Sequence, residues 1–179
     1  MKDDELERLF RLYHAPLVRY LTRRLGDRDW AEEVAQEVFL RALRQESLKS
    51  ERSWLFAVAT NLVREEARRT ARQRKHLMVL AEQERESVFE PPPTTAETAH
   101  EAAMARQALE SLAERDRLAL LMREEGLNYE EIASALELSV GSVGTTLARA
   151  RRRLAETYEA LQKGDERRAA GGQGADHDR

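Results

Sequence analysis

The residues best suited to specific chemistry are hydroxyl side chains and arginines that recur along a predicted helix over residues 140–160. A guanidinium group donates hydrogen bonds to phosphate oxygens and guanine edges, and small hydroxyl side chains allow close approach to bases. Ser139 is a suitable N-cap for this helix. The residue types therefore indicate contact with a nucleic acid. The predicted DNA-contacting residues are Ser139, Ser142, Val143, Thr145, Thr146, Arg149 and Arg153.

These residues belong to a helix-turn-helix pattern over residues 128–154. A short apolar helix over 129–136 precedes a tight connection through Leu138, and the basic helix follows. In this motif the second helix lies in the DNA major groove. The alternative is an ordinary helical hairpin with a basic C-terminus. The apolar stripe predicted to face inward on the second helix is Val143, Leu147, Ala150 and Leu154.

Catalytic and metal-binding chemistry has little support in the sequence. The four histidines form no pair at metal-ligand spacing, and the chain has no cysteine. No glycine-rich phosphate loop precedes a helix, and adjacent carboxylates such as Glu32 and Glu33 point apart on a helix. We therefore expect no enzymatic activity, no metal and no cofactor.

Length and composition limit the class of protein. The chain has 179 residues, enough for one ordinary domain or two small ones, and its net charge is -3. It has no apolar run of about 18 residues, and its N-terminus lacks the apolar core of a signal peptide. We therefore expect a cytoplasmic protein. Local basic patches can still bind DNA although the net charge of the whole chain is negative.

Helical periodicity dominates the first half of the chain, with a break or kink expected at Pro16. The clearest helix is predicted over 29–44, and its inner face is Ala31, Val34, Ala35, Val38 and Ala42. The same spacing on another face gives a polar stripe with an exposed leucine. Spacing alone favours a solvated face over a contact surface. This stripe is Glu33, Gln36, Glu37 and Leu40.

A third helix is predicted over 52–75, and its far half is basic. Such a face could bind phosphate, or it could be a solvated helix end that complements the helix dipole. Trp54 and Phe56 are predicted to be core residues rather than stacking platforms. The predicted inner stripe is Leu55, Val58, Ala59 and Leu62, and the basic face is Arg64, Arg68, Arg72 and Lys75.

The predicted organisation is all-α, with two small helical domains joined by a tether. The stretch EQERESVFEPPPTTAET is acidic and contains three consecutive prolines, so it predicts a flexible linker. Four helices follow it, over roughly 97–112, 114–124, 129–136 and 140–160. The predicted boundaries are 1–78 for the first domain, 79–98 for the linker, 99–162 for the second domain and 163–179 for a disordered tail.

The N-terminal half resembles region two of bacterial RNA polymerase sigma factors, in the segments LFRLYHAPLVRYLTRRLGDRDWAEEVAQEVFLRAL and SWLFAVATNLVREEARR. The C-terminal half resembles their region four, in ALESLAERDRLALLMREEGLNYEEIASALELSVGSVGTTLARARRRL. Only these two regions are present, joined by a short linker. This layout is similar to that of the extracytoplasmic-function (ECF) group.

The resemblance implies a role for each face. The helix over 29–44 would dock on the clamp helices of core RNA polymerase through its polar stripe, which is then a binding surface. The helix around 53–72 would hold and melt the promoter -10 element, and the loop Gln45–Glu51 lies where the family captures a flipped base. Region four would bind the -35 element and touch the polymerase flap. The implied strand contacts near -10 are Asn61, Arg64, Arg68 and Arg72.

The resemblance also implies promoter DNA and an anti-sigma factor as partners, and a path for the linker toward the RNA exit channel. One departure concerns Gly144 and Thr146, where family members commonly carry Lys and Arg. Two other functions were weighed. A stand-alone helix-turn-helix regulator does not account for the N-terminal half, and a module that only sequesters an anti-sigma factor does not account for the two basic faces.

Overall fold

Every regular element in the described part of the chain is an α-helix. The structure, a computed structural model, describes residues 3–77 and 96–172. The predicted linker over 79–98 lies mostly outside these ranges, and its last three residues are helical. The helices are α1 (Asp3–Leu25), α2 (Arg28–Leu43), α3 (Glu51–Leu77), α4 (Ala96–Glu110), α5 (Glu114–Glu124), α6 (Tyr129–Leu136) and α7 (Val140–Gly172).

Helix α1 passes through Pro16 without ending, so of the predicted break or kink the break is wrong and the kink stays a prediction. Proline removes one backbone donor, but Leu9, Leu17 and Leu21 on both sides of it are buried. Their burial keeps both halves of the helix on the same core. The helix ends at Leu25, and the following Gly26 adopts a positive φ of 73°.

Helix α2 begins with a local cap and buries the face that the sequence predicts. Asp27 accepts a hydrogen bond at 3.0 Å from the backbone N–H of Trp30, which satisfies one of the free donors at the helix start. All five predicted inner residues are buried. Phe39 is also buried, which the periodic pattern did not include.

The buried face of α3 differs from the prediction. Val58 and Leu62 are only half-buried. The reason is Tyr20, whose ring lies 5.0 Å from that of Phe56 and whose hydroxyl lies 2.8 Å from Thr60 Oγ1. These contacts add Phe56 and Thr60 to the buried face, beside Leu55 and Ala59 of the predicted stripe. The buried residues of α3 are Ser53, Leu55, Phe56, Ala59, Thr60 and Val63.

Two local signals define α6. Asn128 and Glu131 form a capping box, in which each side chain accepts a hydrogen bond at 2.8 Å from the backbone N–H of the other. At the other end, Glu137 has a left-handed backbone with φ 55°. Its neighbour Leu138 donates to the carbonyl of Ala133 at 2.8 Å. Helix α6 therefore ends at Leu136, before α7 begins.

Helix α7 runs to Gly172, so the prediction of a disordered tail from residue 163 is wrong for 163–172. The extension has tertiary contacts: Asp165 pairs with His100 of α4, with 2.5 Å between Oδ2 and Nε2. About two turns earlier in the same helix, Thr157 Oγ1 lies 3.4 Å from Ser111 Oγ. Residues 173–179 lie outside the described ranges.

The backbone contacts divide the chain into two compact units. The described part of the first is α1, α2 and α3 together with Leu121–Val143, which holds the end of α5, α6 and the first turn of α7. The second holds α4, the first part of α5, and α7 from Gly144 onward. The domain boundaries drawn from composition stay a prediction. No described helix is long and apolar enough to span a membrane.

The Tyr20–Phe56 pair should dominate the stability of the first unit. We expect Phe56→Ala to lower the free energy of unfolding by about 3–5 kcal/mol, because it opens a cavity beside Tyr20. Tyr20→Phe should cost about 1 kcal/mol, since one buried hydrogen bond is lost and the ring stays. Urea unfolding followed by circular dichroism measures both.

The matched control is Leu12→Ala in α1. The Leu12 side chain is 52% exposed, so its truncation should change the free energy of unfolding by no more than about 0.5 kcal/mol. A loss for Phe56→Ala as small as that of the control would contradict the role of the aromatic pair.

Candidate nucleic-acid interface

The outer face of α2 is exposed along its length. Glu33 and Gln36 are exposed, and Leu40 is 55% exposed. Glu37 accepts a hydrogen bond at 2.9 Å from Nε of Arg41, one turn along the same helix. The structure therefore brings together the four residues that the sequence groups on this face. An exposed leucine among charged side chains is a surface suited to a protein partner.

Further apolar surface adjoins this face, and the sequence pattern missed it. The side chain of Phe10 in α1 is 45% exposed. Its ring stacks on His14 at 4.2 Å and lies 5.1 Å from the ring of Phe39. Leu43 follows Phe39 by one helical turn and is 40% exposed. The exposed apolar area thus extends from α2 onto α1.

The basic half of α3 carries the residues predicted to contact single-stranded DNA. Asn61 and Arg68 are exposed, and Arg64 is half-buried. Arg72 belongs to α3, but its side chain lies outside the described part of the structure. Trp54 is half-buried and Phe56 fully buried, so the prediction of Phe56 as a core residue is confirmed.

The residues predicted to read duplex DNA do not all face outward. Thr145 and Arg153 are exposed on α7, as is Ser139 immediately before it. Val143 is completely buried and Thr146 is 5% exposed. Contact of these two side chains with DNA stays a prediction, and neither side chain is on the surface of the chain as the structure describes it. Both lie among the buried positions of the helix, next to Leu147.

A hydroxyl group stabilises the first turn of α7. The carbonyl of Ser139 accepts hydrogen bonds from the backbone N–H of Ser142 at 3.0 Å and from its Oγ at 2.8 Å. Ser142 is half-buried. Its hydroxyl therefore braces the first turn in addition to any contact with DNA.

Arg149 has a structural partner that the sequence did not predict. Its Nε and Nη2 donate to the two carboxylate oxygens of Asp116, at 2.9 and 2.5 Å. Asp116 is 1% exposed, whereas the Arg149 side chain is 43% exposed. The hydrogen bonds from Arg149 hold the pKa of the Asp116 carboxyl below its usual value of 3.8, against the opposing effect of burial. This bidentate pair fixes α7 to α5 within the second unit.

Only chain folding reveals this pair, because its members are 33 residues apart. The sequence does place Asp116 in the first turn of α5, where a carboxylate complements the helix dipole. That signal suggests a helix start but no partner. The described residues contain no group of three or more side chains that could hold a metal ion.

Each half of the chain matches a known family model. Residues 9–73 match the family model for Sigma-70 region 2, and residues 102–154 match that for Sigma-70, region 4. RNA polymerase sigma factor YlaC of Bacillus subtilis is 30% identical over 153 residues, covering 83% of this chain and 88% of that protein. Ferric citrate uptake sigma factor FecI of Escherichia coli is 32% identical over 149 residues, covering 80% and 85%.

Two further proteins refine the comparison. ECF RNA polymerase sigma factor SigL of Mycobacterium tuberculosis is 31% identical over 160 residues, covering 86% of this chain and 88% of that one. Among solved structures, sigma factor RpoE in complex with the anti-sigma factor NepR from Bartonella quintana has a TM-score of 0.65 at 19% identity. It covers 87% of this chain and 97% of that one, and the likeness concerns the fold.

The chain therefore belongs to the sigma-70 family of RNA polymerase sigma factors, in its ECF group. It is a sigma factor that directs transcription initiation. The predicted all-α fold with sigma regions two and four is confirmed.

The Asp116–Arg149 pair predicts acid sensitivity. Because the pKa of Asp116 is lower in the folded state, its contribution is full above about pH 4 and is lost as the pH falls through the folded-state pKa. The unfolding free energy of Asp116→Asn should therefore vary less with pH on the acid side than that of the wild type. Exposed Glu110→Gln is the control, and identical profiles for Asp116→Asn and wild type would contradict the pair.

Arg149 and Arg153 should respond differently to substitution. Arg149→Ala leaves a buried carboxylate without its main partner, so we expect a lower melting temperature together with weaker duplex binding. Arg153→Ala should leave the melting temperature unchanged and reduce the slope of log affinity against log salt by about one. Thermal melts and fluorescence anisotropy on duplex DNA measure these effects. An unchanged melting temperature for Arg149→Ala would refute its structural role.

Proposed function

We propose that this sigma factor binds core RNA polymerase through the outer face of α2 and places promoter DNA on α3 and α7. The observation that carries the proposal is the stripe Glu33, Gln36, Glu37 and Leu40, in which Glu37 is half-buried and the other three are exposed, opposite a buried face of the same helix. A helix packed on only one side has a whole face left for a partner. The polymerase clamp helices are the partner that the family resemblance implies.

The -10 element is assigned to α3, where Asn61, Arg64 and Arg68 would hold the melted strand. Melting takes bases out of the stack at a cost of a few kcal/mol per base, which basic grooves and pockets must offset. Arg72 extends the same basic face by one turn. The proposal is supported by the basic composition of this half of the helix and by its match to Sigma-70 region 2.

The -35 element is assigned to α7, read by a smaller set of residues than the sequence pattern suggested. Ser139, Ser142, Thr145 and Arg153 remain at or near the surface, whereas Val143 and Thr146 are buried. Arg149 would contact DNA only with the part of its guanidinium that Asp116 leaves exposed. The polymerase flap is a further proposed contact of this region, and the linker is proposed to run toward the RNA exit channel.

An anti-sigma factor is the proposed regulator of this chain. The RpoE structure with a similar fold was determined with the anti-sigma factor NepR. A partner of that kind would cover the surfaces that otherwise bind polymerase. The exposed apolar area at Phe10, Leu40 and Leu43 is the best candidate for its contact.

Reconstitution with core polymerase tests the function directly. Run-off transcription from the DNA upstream of the chain's own gene should require the chain and start at one position. Absence of core binding and of promoter opening would remove the sigma assignment. Promoter binding by the chain alone, with no effect on polymerase, would instead favour a stand-alone regulator.

The polymerase-binding face makes a separate prediction. Glu37→Lys should weaken binding to core polymerase about tenfold or more, because it reverses a charge at the proposed contact. Glu7→Lys in α1 is a matched control, since Glu7 also pairs with an arginine one turn away, at 2.5 Å from Arg11. Both variants should keep the wild-type circular dichroism spectrum. Equal affinity of the two variants for core would exclude Glu37 from the interface.

A further inference from the structure

The buried carboxylate of Asp116 determines which part of the Arg149 side chain is left for a ligand. Its two oxygens accept from Nε and Nη2 of Arg149, at 2.9 and 2.5 Å. The guanidinium group is planar, and its N–H donors point in fixed directions. Nε and Nη2 form one side of that plane, so both hydrogens of Nη1 and the second hydrogen of Nη2 are not used by Asp116. A pair of parallel donors therefore remains at the end of the Arg149 side chain.

Arg149 lies on the exposed face of α7. Its side chain is 43% exposed, whereas that of Asp116 is 2% exposed. Thr145 precedes Arg149 by four residues and Arg153 follows it by four, so the three share one face of the helix. Both neighbours are exposed as well. Arg149 thus lies between two side chains proposed to contact promoter DNA. The opposite face of the helix is buried and consists of Val143, Leu147 and Ala150.

The ion pair with Asp116 balances the charge of Arg149 and leaves part of its donors. The hydrogen bonds from Arg149 hold the pKa of Asp116 below its usual value, so the carboxylate is ionised at neutral pH. A balanced ion pair releases few counterions from DNA, because their release requires positive charge that neutralises phosphate. A guanine edge requires instead two donors in a fixed orientation, for its O6 and N7 acceptors. The paired arginine is therefore better suited to guanine than to phosphate.

Other arginines supply the unbalanced charge of this surface. Arg115 and Arg153 both lie close enough to Asp116 for their positive charge to lower its pKa, in addition to the effect of Arg149. Arg115 on α5 and Arg153 on α7 are exposed. Three guanidinium groups thus surround one carboxylate, and the charge of two remains unbalanced. These two are the groups suited to phosphate contacts.

We propose that Asp116 is a positioning residue for promoter recognition, which holds the free end of the Arg149 guanidinium toward a guanine of the -35 element. The inference rests on the proposed function, because it deepens the assignment of α7 to that element. Arg149 donates to O6 and N7 of one guanine in the major groove, and Arg153 contacts phosphate. Because Asp116 orders a long side chain before DNA binds, less conformational entropy is lost on binding. The base preferred at one promoter position then depends on α5 as well as on α7.

Selection of duplex DNA from a random library by the holoenzyme tests the guanine contact. The double variant Asp116→Asn/Arg149→Gln has the net charge of the wild type and leaves no buried charge without its partner. We expect the wild type to prefer one guanine in the -35 element about tenfold over other bases, and the double variant to lose that preference. The control Arg152→Gln removes an exposed arginine of the same helix, which pairs with Glu156. It should keep the guanine preference.

Base and phosphate analogues in the selected duplex distinguish the two possible acceptors. 7-Deazaguanine lacks the N7 acceptor, whereas inosine lacks only the amino group in the minor groove. At the preferred guanine, 7-deazaguanine should weaken binding of the wild-type holoenzyme about fivefold and inosine should not. Neither analogue should affect the double variant. A methylphosphonate at an adjoining phosphate should weaken wild type and double variant equally, and an effect confined to the wild type would assign Arg149 to phosphate.

Asp116→Asn tests the positioning role by itself. This variant keeps the size of the side chain and removes the charge that orients Arg149. Its holoenzyme should lose most of the guanine preference. It should also bind non-promoter DNA more tightly, with a slope of log affinity against log salt that is steeper by about one, because Arg149 regains an unbalanced charge. A residue that only stabilised the fold would weaken binding to all DNA and would not steepen that slope.

A double-mutant cycle shows whether Asp116 acts through Arg149. In the Arg149→Gln background, Asp116→Asn should lower the guanine preference no further. Circular dichroism verifies that each variant is folded. If Asp116→Asn does not fold, Asp116→Ser takes its place, since it also removes the charge and leaves room for water beside Arg149.

Wild-type guanine preference in Asp116→Asn would overturn the positioning role. A double variant that weakens binding to every sequence equally would overturn the guanine contact. Wild-type holoenzyme that selects a -35 element without a guanine dependent on Arg149 would contradict this inference and leave the proposed function intact. Wild-type holoenzyme that selects no common element would instead contradict the proposed function itself.

Discussion

Two buried carboxylates, one at each end of α5, constrain the architecture of this sigma factor. Asp116 in the first turn and Glu125 just past the last are both almost completely excluded from water. A carboxylate in such a position is tolerated only with guanidinium or backbone partners. Asp116 takes its partner from α7 in the second unit, and Glu125 takes two from α1 in the first. Charge burial therefore decides which helices pack together.

This constraint changes how the arginines are interpreted. In a DNA-binding protein, a cluster of arginines suggests phosphate contacts. Here Arg149 and Arg19 satisfy carboxylates inside the chain, and Arg52 satisfies backbone carbonyls. The same chemistry that binds phosphate also binds a carboxylate in bidentate geometry. The spacing of the arginines does not distinguish those that bind phosphate from those that pair with a carboxylate inside the chain. The burial of the partner side chain does distinguish them.

The surfaces proposed for polymerase and promoter are those that these internal contacts leave exposed. On the outer face of α2, Glu37 forms an ion pair with Arg41 of the same helix. On α7, burial of Thr146 bears on the departure from the family pattern at Gly144 and Thr146. Thr146 is buried and contributes to packing, whereas Thr145 and Arg153 are exposed on the same helix.

The sequence by itself determined the helices, most of their boundaries and the class of protein. The buried face of α2 follows from a 3.6-residue repeat, and the start of α2 follows from a side chain three residues from its partner. These signals act within one or two turns, so local chemistry encodes them. The chain was identified as a sigma factor because Sigma-70 region 2 and region 4 follow each other in it. Each region is recognised by its own local sequence pattern.

Only the tertiary structure decided which face of α3 is buried, how far α7 extends and which arginines are internal. Tyr20 packs on α3 through an aromatic contact and a hydrogen bond across 40 residues, and Arg19 meets Glu125 across 106. No periodic pattern specifies a pairing over such separations. Those pairings depend on the path of the chain, which brings together distant groups. Such groups, once buried, must form a hydrogen bond or an ion pair because they have lost contact with water.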